Sequence, residues 1–122
     1  MSDSRQILGR RGEELAAEAL TARGYRVLDK NFRCSQGEVD IIAMERSCYV
    51  FVEVRSRTIG YSLAPEDSVT ATKQDRLRNV AETYLEERNL GEVDWRIDVV
   101  AIDFDRSGHL HRLEIIPDAI LG

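Results

Sequence analysis

Gly37-Glu38-Val39-Asp40-Ile41-Ile42 and, beyond a short polar turn, Val50-Phe51-Val52-Glu53-Val54-Arg55 decide the reading of this chain. Both runs are rich in the β-branched and aromatic residues that suit strands, yet they hold acids and a cation where a sheet would bury Val or Ile. The turn at 45–48 predicts a hairpin in which Met44 pairs with Tyr49, and that register sets Asp40 opposite Glu53. Side chains alternate across a strand. One face therefore becomes Val39, Ile41, Ala43, Val50, Val52 and Val54, and the other Asp40, Ile42, Met44, Tyr49, Phe51, Glu53 and Arg55. The first face is wholly apolar. A slip of one residue would mix the two, so burial selects the register that brings the carboxylates together. Like charges opposed across a sheet are unfavourable. Either one carboxylate takes up a proton, or Arg55 offsets the charge, or a divalent cation lies between them. Apolar residues on both faces point to central strands covered on both sides. Three charges at the ends of such strands mark a functional cluster rather than a solvated patch.

The 122 residues, 43% of them hydrophobic, suffice for one domain with a real core and are too few for two. The opening Met-Ser-Asp-Ser-Arg lacks the apolar region of a signal peptide, and no run approaches membrane-spanning length. A soluble, cytoplasmic protein without a membrane partner is expected, with residues 1–5 disordered. Cys34 and Cys48 form neither a disulfide framework nor a metal-ligand spacing, which fits a reducing compartment. The net charge of −5 argues against indiscriminate coating of nucleic acid. Its distribution softens that objection. Residues 1–33 hold seven Lys/Arg against five Asp/Glu, and 34–122 hold ten against seventeen, so the two parts carry +2 and −7. A local basic face around Arg10, Arg11, Arg33, Arg57, Lys73 and Arg76 is compatible with that balance.

The order of elements follows from periodicity and punctuation. Residues 7–23 read as a helix with Leu8, Gly12, Leu15, Ala19 and Ala22 on one face and Gly24 as its stop. Glu13 borders the apolar face beside Leu20, the one acid of this helix placed to look toward a sheet or to snorkel to water. A short strand over 25–28 and a polar loop over 31–37 precede the hairpin, and 57–68, aperiodic with Gly60 and Pro65, reads as a long mobile loop. A second helix from Thr70 or Thr72 to about Arg88 carries the stripe Leu77, Val80, Ala81, Tyr84 and Leu85. One turn back along that stripe lies Lys73, facing the sheet. Residues 95–104 and 109–116 complete the chain as two strands, followed by a short apolar tail. His109 and His111 share a strand face without a third ligand nearby and read as surface residues.

The order helix, three strands, helix, two strands, with an acid in the first helix, Asp on the second strand and Glu-x-Arg on the third, resembles the PD-(D/E)xK nucleases. More closely, Gly12-Glu13, Gly24-Tyr25, Asn31-Phe32-Arg33, Gly37-Glu38-Val39-Asp40, Phe51 to Arg57, Lys73, Arg76-Leu77, Tyr84-Leu85 and Asp98-Val99-Val100 are similar to the YraN-type bacterial family, related to archaeal Holliday junction resolvases. This resemblance implies a restriction-endonuclease-like fold, a three-layer α/β/α sandwich around a mixed sheet. It implies that Asp40, Glu53 and the Val54 carbonyl hold Mg²⁺ or Mn²⁺, that Glu13 is the extra helix acid of resolvases, and that the substrate is branched or structured DNA bound by a homodimer. Hard oxygen ligands suit Mg²⁺, which activates water for in-line attack on a phosphodiester. The departure is Arg55, where the motif has lysine. Arginine cannot act as a base at neutral pH but can hold a phosphate. Two expectations follow: a metal-dependent endonuclease, its catalytic residues Glu13, Asp40, Glu53 and Arg55 with Lys73 recruited from the second helix, or a binding or scaffold protein with a degenerate nuclease site. A purely structural partner-binding domain would leave the carboxylate pair without a purpose.

Overall fold

The computed structural model describes residues 4–60 and 64–120. The elements run α1 (Ser4–Ala22), β1 (Arg26–Cys34), β2 (Gly37–Glu45), β3 (Cys48–Thr58), a 3-10 turn (Pro65–Ser68), α2 (Ala71–Glu87), β4 (Trp95–Phe104) and β5 (Leu110–Ile120). The strands lie side by side in sequence order, β3 and β4 parallel and the other neighbours antiparallel. Parallel neighbours need a crossover, and α2 supplies it. This is an open, mixed α/β sheet with a helix on each face. Under α1 pack Ile41, Ala43, Val50, Val52, Val100 and Ile102. Under α2 pack Ile42, Phe51, Ile97 and Val99, with the Tyr84 ring edge-on to Phe32 and Phe51 at 5.2 and 5.6 Å.

The expected hairpin register is present. Met44 pairs with Tyr49, and the ladder runs from Glu45–Cys48 to Ile41–Val52. It stops there, one residue short of Asp40 and Glu53, while β3 continues beside β4 from Glu53–Val99 to Thr58–Phe104. The sheet therefore parts between β2 and β3 where the acids stand.

Local departures from the sequence reading each have a physical cause. Val39, expected beneath α1 with Ile41, packs with Phe51 on the α2 face. Asn31 lies in the β1–β2 ladder between the pairs Lys30–Ile41 and Phe32–Val39, and its φ of 53° breaks the alternation there. Asparagine accepts that left-handed conformation better than most residues. The strand expected over 25–28 runs on to Cys34, through Asp29, Lys30 and Arg33, which read as loop but suit an exposed edge strand. The segment 57–68 divides: Arg57 and Thr58 extend β3, 65–68 forms the 3-10 turn, and 61–63 lies outside the described residues. Of residues 1–5, expected to be disordered, 1–3 also lie outside the described residues, and Ser4 already belongs to α1. β5 reaches Ile120, absorbing most of the expected tail.

The apolar face of α1 is rotated from the expected one. Gly12, Ala16, Ala17 and Leu20 are buried, Leu15 and Ala19 only partly, and Ala22 is exposed. The helix turns small residues to the sheet, and a Cβ at Gly12 would stand in ordinary contact, 3.5 Å from Ile102 and from Ser56. Glu13 is carried down with it and is half-buried. The stripe of α2 is as read, with Leu77, Val80, Ala81, Tyr84 and Leu85 buried. Among the described residues no helix is long and apolar enough to cross a membrane.

Candidate active site

Where β2 and β3 part, the Asp40 carboxylate replaces the missing ladder bond, its Oδ2 accepting from the Val54 N–H at 2.8 Å. The same acid meets two others. The Glu53 carboxyl hydrogen-bonds to it, and burial first, then that bond and the charge of Asp40, hold the proton on Glu53 far above the usual carboxyl range, while Arg55 and Lys73 pull the other way. Glu13, from α1, is also raised, by burial first and then by the charge of Asp40 and a hydrogen bond with it; the Asn31 side chain opposes the shift. Three acids from three elements thus meet, with Asp40 between the other two. In the protein alone, proton uptake by Glu53 relieves the opposed charges, with Arg55 a partial counter-charge.

Asp40 and Glu53, though not Glu13, line a cleft of about 620 Å³ between the sheet and α2. Asp40, Glu53, Val54, Arg55, Lys73, Arg33 and Arg76, all singled out from the sequence, line it together with Cys34 and Glu38. Lys73 sits in the first turn of α2, where its N–H bonds to the capping hydroxyl of Thr70 at 3.3 Å. Arg33 pairs with Glu38 at 3.0 Å on the exposed rim. Arg55 is held from behind, its Nε donating to the Ser68 hydroxyl at 2.8 Å.

The other expected basic residues lie elsewhere. Arg57 donates through Nε to Asp103 at 2.7 Å. Arg11 reaches the Gly108 carbonyl in the β4–β5 turn and covers the Phe104 ring at 5.4 Å, and Arg10 is exposed on α1. His109 and His111 are exposed, as read. Among the described residues, no group of three or more His, Cys, Asp and Glu is arranged as a ready cage for a metal ion. Sequence reasoning missed Asn31 and Ser68. Asn31 stood inside a recognised motif, and an asparagine among strand-forming residues is a signal of positive φ; Ser68 had no local signal at all.

Fold and site define a class: an α/β domain whose mixed sheet splays at a pair of acids, above a cleft rimmed by arginine and lysine. The chain belongs to the uncharacterised protein family UPF0102, the YraN-type family, whose model matches residues 12–102. That span runs from Glu13's helix through β4. A UPF0102 protein of Pelotomaculum thermopropionicum is 45% identical over 120 residues, 98% of this chain and 99% of its own. One from Desulfitobacterium hafniense is 47% identical over 105 residues, covering 84% and 85%. One from Moorella thermoacetica is 40% identical over 119 residues, covering 98% and 99%.

Proposed function

We propose that this domain is a metal-dependent endonuclease of the restriction-endonuclease-like class, hydrolysing phosphodiester bonds in branched or structured DNA as a homodimer. The observation that carries the reading is the meeting of Glu13, Asp40 and Glu53 at the split in the sheet, with Asp40 and Glu53 lining a cleft whose other charged walls include Arg55, Lys73 and Arg76. A buried acid pair that must share a proton is a place where a divalent cation can replace that proton. Mg²⁺ takes one or two carboxylates and keeps several waters, so Asp40 and Glu53 suffice without a full protein cage, and the Val54 carbonyl can add a ligand. Bound there, Mg²⁺ or Mn²⁺ supplies positive charge that activates water and stabilises the transition state.

The chain's own residues have separate tasks. Asp40 and Glu53 hold the ion, with Glu13 polarising Asp40 from the far side. Arg55 binds the scissile phosphate and its developing charge. It cannot take a proton from water, so Lys73 is the candidate base. A two-fold junction suits a two-fold enzyme.

The test is cleavage by highly purified protein of duplex, single-stranded, flap and four-way DNA in Mn²⁺. Arg55→Lys raises cleavage, Glu53→Gln abolishes it in either background, and Lys73→Ala is more damaging in wild type than in Arg55→Lys. A second reading, a nucleic-acid-binding or scaffold protein with a degenerate site, is favoured by Arg55 and by the net charge of −5. Inactivity of both wild type and Arg55→Lys, with steeply salt-dependent DNA binding, selects it.

A further inference from the structure

We infer that Ser68 is a positioning residue that fixes Arg55 as a clamp for a substrate phosphate. This rests on the phosphodiester reading of the cleft, in its catalytic or its binding form. The Ser68 hydroxyl donates its one hydrogen to the Pro65 carbonyl at 2.6 Å. Its oxygen is left as an acceptor, and it accepts from Arg55 Nε at 2.8 Å. Guanidinium carries further N–H groups on its two terminal nitrogens. Pinning Nε fixes the plane of the fork, and Arg55 lines the cleft beside Lys73 and Arg76.

Ser68 is itself held from a distance. Glu66, two residues before it in the same 3-10 turn, receives both terminal nitrogens of Arg112 at 2.8 and 3.0 Å. Arg112 Nε donates to Asp103 at 2.8 Å, and the other oxygen of Asp103 takes Arg57 at 2.7 Å. Asp103 is 5% exposed and Pro65 is buried, while the Arg112 and Glu66 side chains stay partly open to water at 31% and 29%. The turn is bolted to β4 and β5, while Arg55 stands on β3. Arg57, away from the cleft, thereby belongs to the bracket behind it.

The arrangement gives a physical reason for arginine at 55. A lysine carries all three donors on one freely rotating nitrogen, so a bond to the Ser68 oxygen would fix no plane for the donors left to a phosphate. Arginine serves both, with Nε to the turn and the terminal fork to the ligand.

Two readouts on the full-length protein test this. The first is the Arg55 side-chain Nε–Hε resonance, which should exchange slowly with water in wild type and Ser68→Thr and rapidly in Ser68→Ala. The second is the anisotropy of a fluorescein-labelled four-way DNA junction at fixed salt in EDTA. Ser68→Ala should weaken its binding about fivefold, the worth of a typical hydrogen bond. Ser68→Thr should bind as wild type, and Ser68→Ala should add nothing in an Arg55→Ala background. Melting temperatures are measured alongside; Ser68→Cys, similar in size with a poor acceptor, replaces alanine if alanine unfolds the protein. Unchanged binding in Ser68→Ala, or an equal loss with and without Arg55, overturns the inference. Junction binding with an Nε–Hε signal indifferent to Ser68 overturns the positioning role alone. A signal that depends on Ser68 in a protein that binds no junction overturns the clamp because the phosphodiester reading itself has failed.

Discussion

Asp98 pairs with Val52 in the β3–β4 ladder, one residue from Glu53, yet the two acids are treated in opposite ways. Asp98 is fully buried and accepts from the Tyr25 hydroxyl at 3.0 Å, from Arg96 Nε at 2.9 Å and from the Asp118 N–H at 2.9 Å. Arg96 also reaches Glu45 and the Tyr25 oxygen. Burial, then the charge of Asp98 and the bond to it, push the Tyr25 phenol up to about 12, so Tyr25 stays a donor across the physiological range. Glu53, by contrast, faces Asp40, which already binds Glu13. The fold surrounds one acid with donors and leaves the other among acids. A molecule selected for stability alone would not keep the second arrangement, which is why it marks the site.

Four measurements break or sharpen that contrast. The largest effect is expected at the satisfied acid. Asp98→Ala leaves Arg96 and Tyr25 without their buried partner and should cost about 3–5 kcal/mol in urea unfolding; a loss below about 1 kcal/mol would mean that the network is not structural. The acid that faces other acids should respond with the opposite sign. The folded state binds the Glu53 proton more tightly than the unfolded chain does, so this group's contribution to stability is complete below the unfolded value near 4.5. It is lost as pH rises from there toward the raised folded value. Glu53→Gln, which copies the protonated acid, should therefore stabilise the protein by about 2 kcal/mol at pH 8 and little at pH 4. A destabilised Gln variant at pH 8 would erase the distinction between the two sites.

Divalent ion gives a smaller shift. At ten times its Kd, Mn²⁺ or Mg²⁺ should stabilise wild type by about 1.4 kcal/mol, seen as a higher melting temperature at pH 8 that Asp40→Asn abolishes. No shift in wild type at millimolar ion would count against the metal reading. The smallest effect belongs to an acid on the same cleft that is neither buried nor crowded. Glu38 pairs with Arg33 at the exposed rim, so Glu38→Gln should change stability by less than about 0.5 kcal/mol. A larger change would show that exposure is not what separates the rim from the acids beneath it.

Much of the fold was legible because its signals are local. The Met44–Tyr49 register followed from alternation and a short turn, and that register alone sets Asp40 beside Glu53. The stripe of α2, read one turn back, brought Lys73 into the cleft. Where the alternation breaks, the reading failed: beyond the positive φ of Asn31, Phe32 and its β2 partner Val39 both pack on the α2 face. It failed again where polar residues form an edge strand, as in β1, because solvent exposure on one side looks the same in sequence as a loop.

The sequence by itself determined which segments are helix and strand at the centre of the domain, the pairing of β2 with β3, and the company of Asp40, Glu53, Arg55 and Lys73. These depend on hydrophobic periods and turn residues that act over a few positions. Only the tertiary structure decided which acids meet cationic and neutral donors and which meet one another. Asp98 receives Tyr25 from 73 positions away and Asp103 receives Arg57 from 46, while the Ser68 that holds Arg55 is set by a turn bolted to β4 and β5. Whether a buried charge is paired depends on donors delivered by other elements, and no local pattern encodes where those donors arrive.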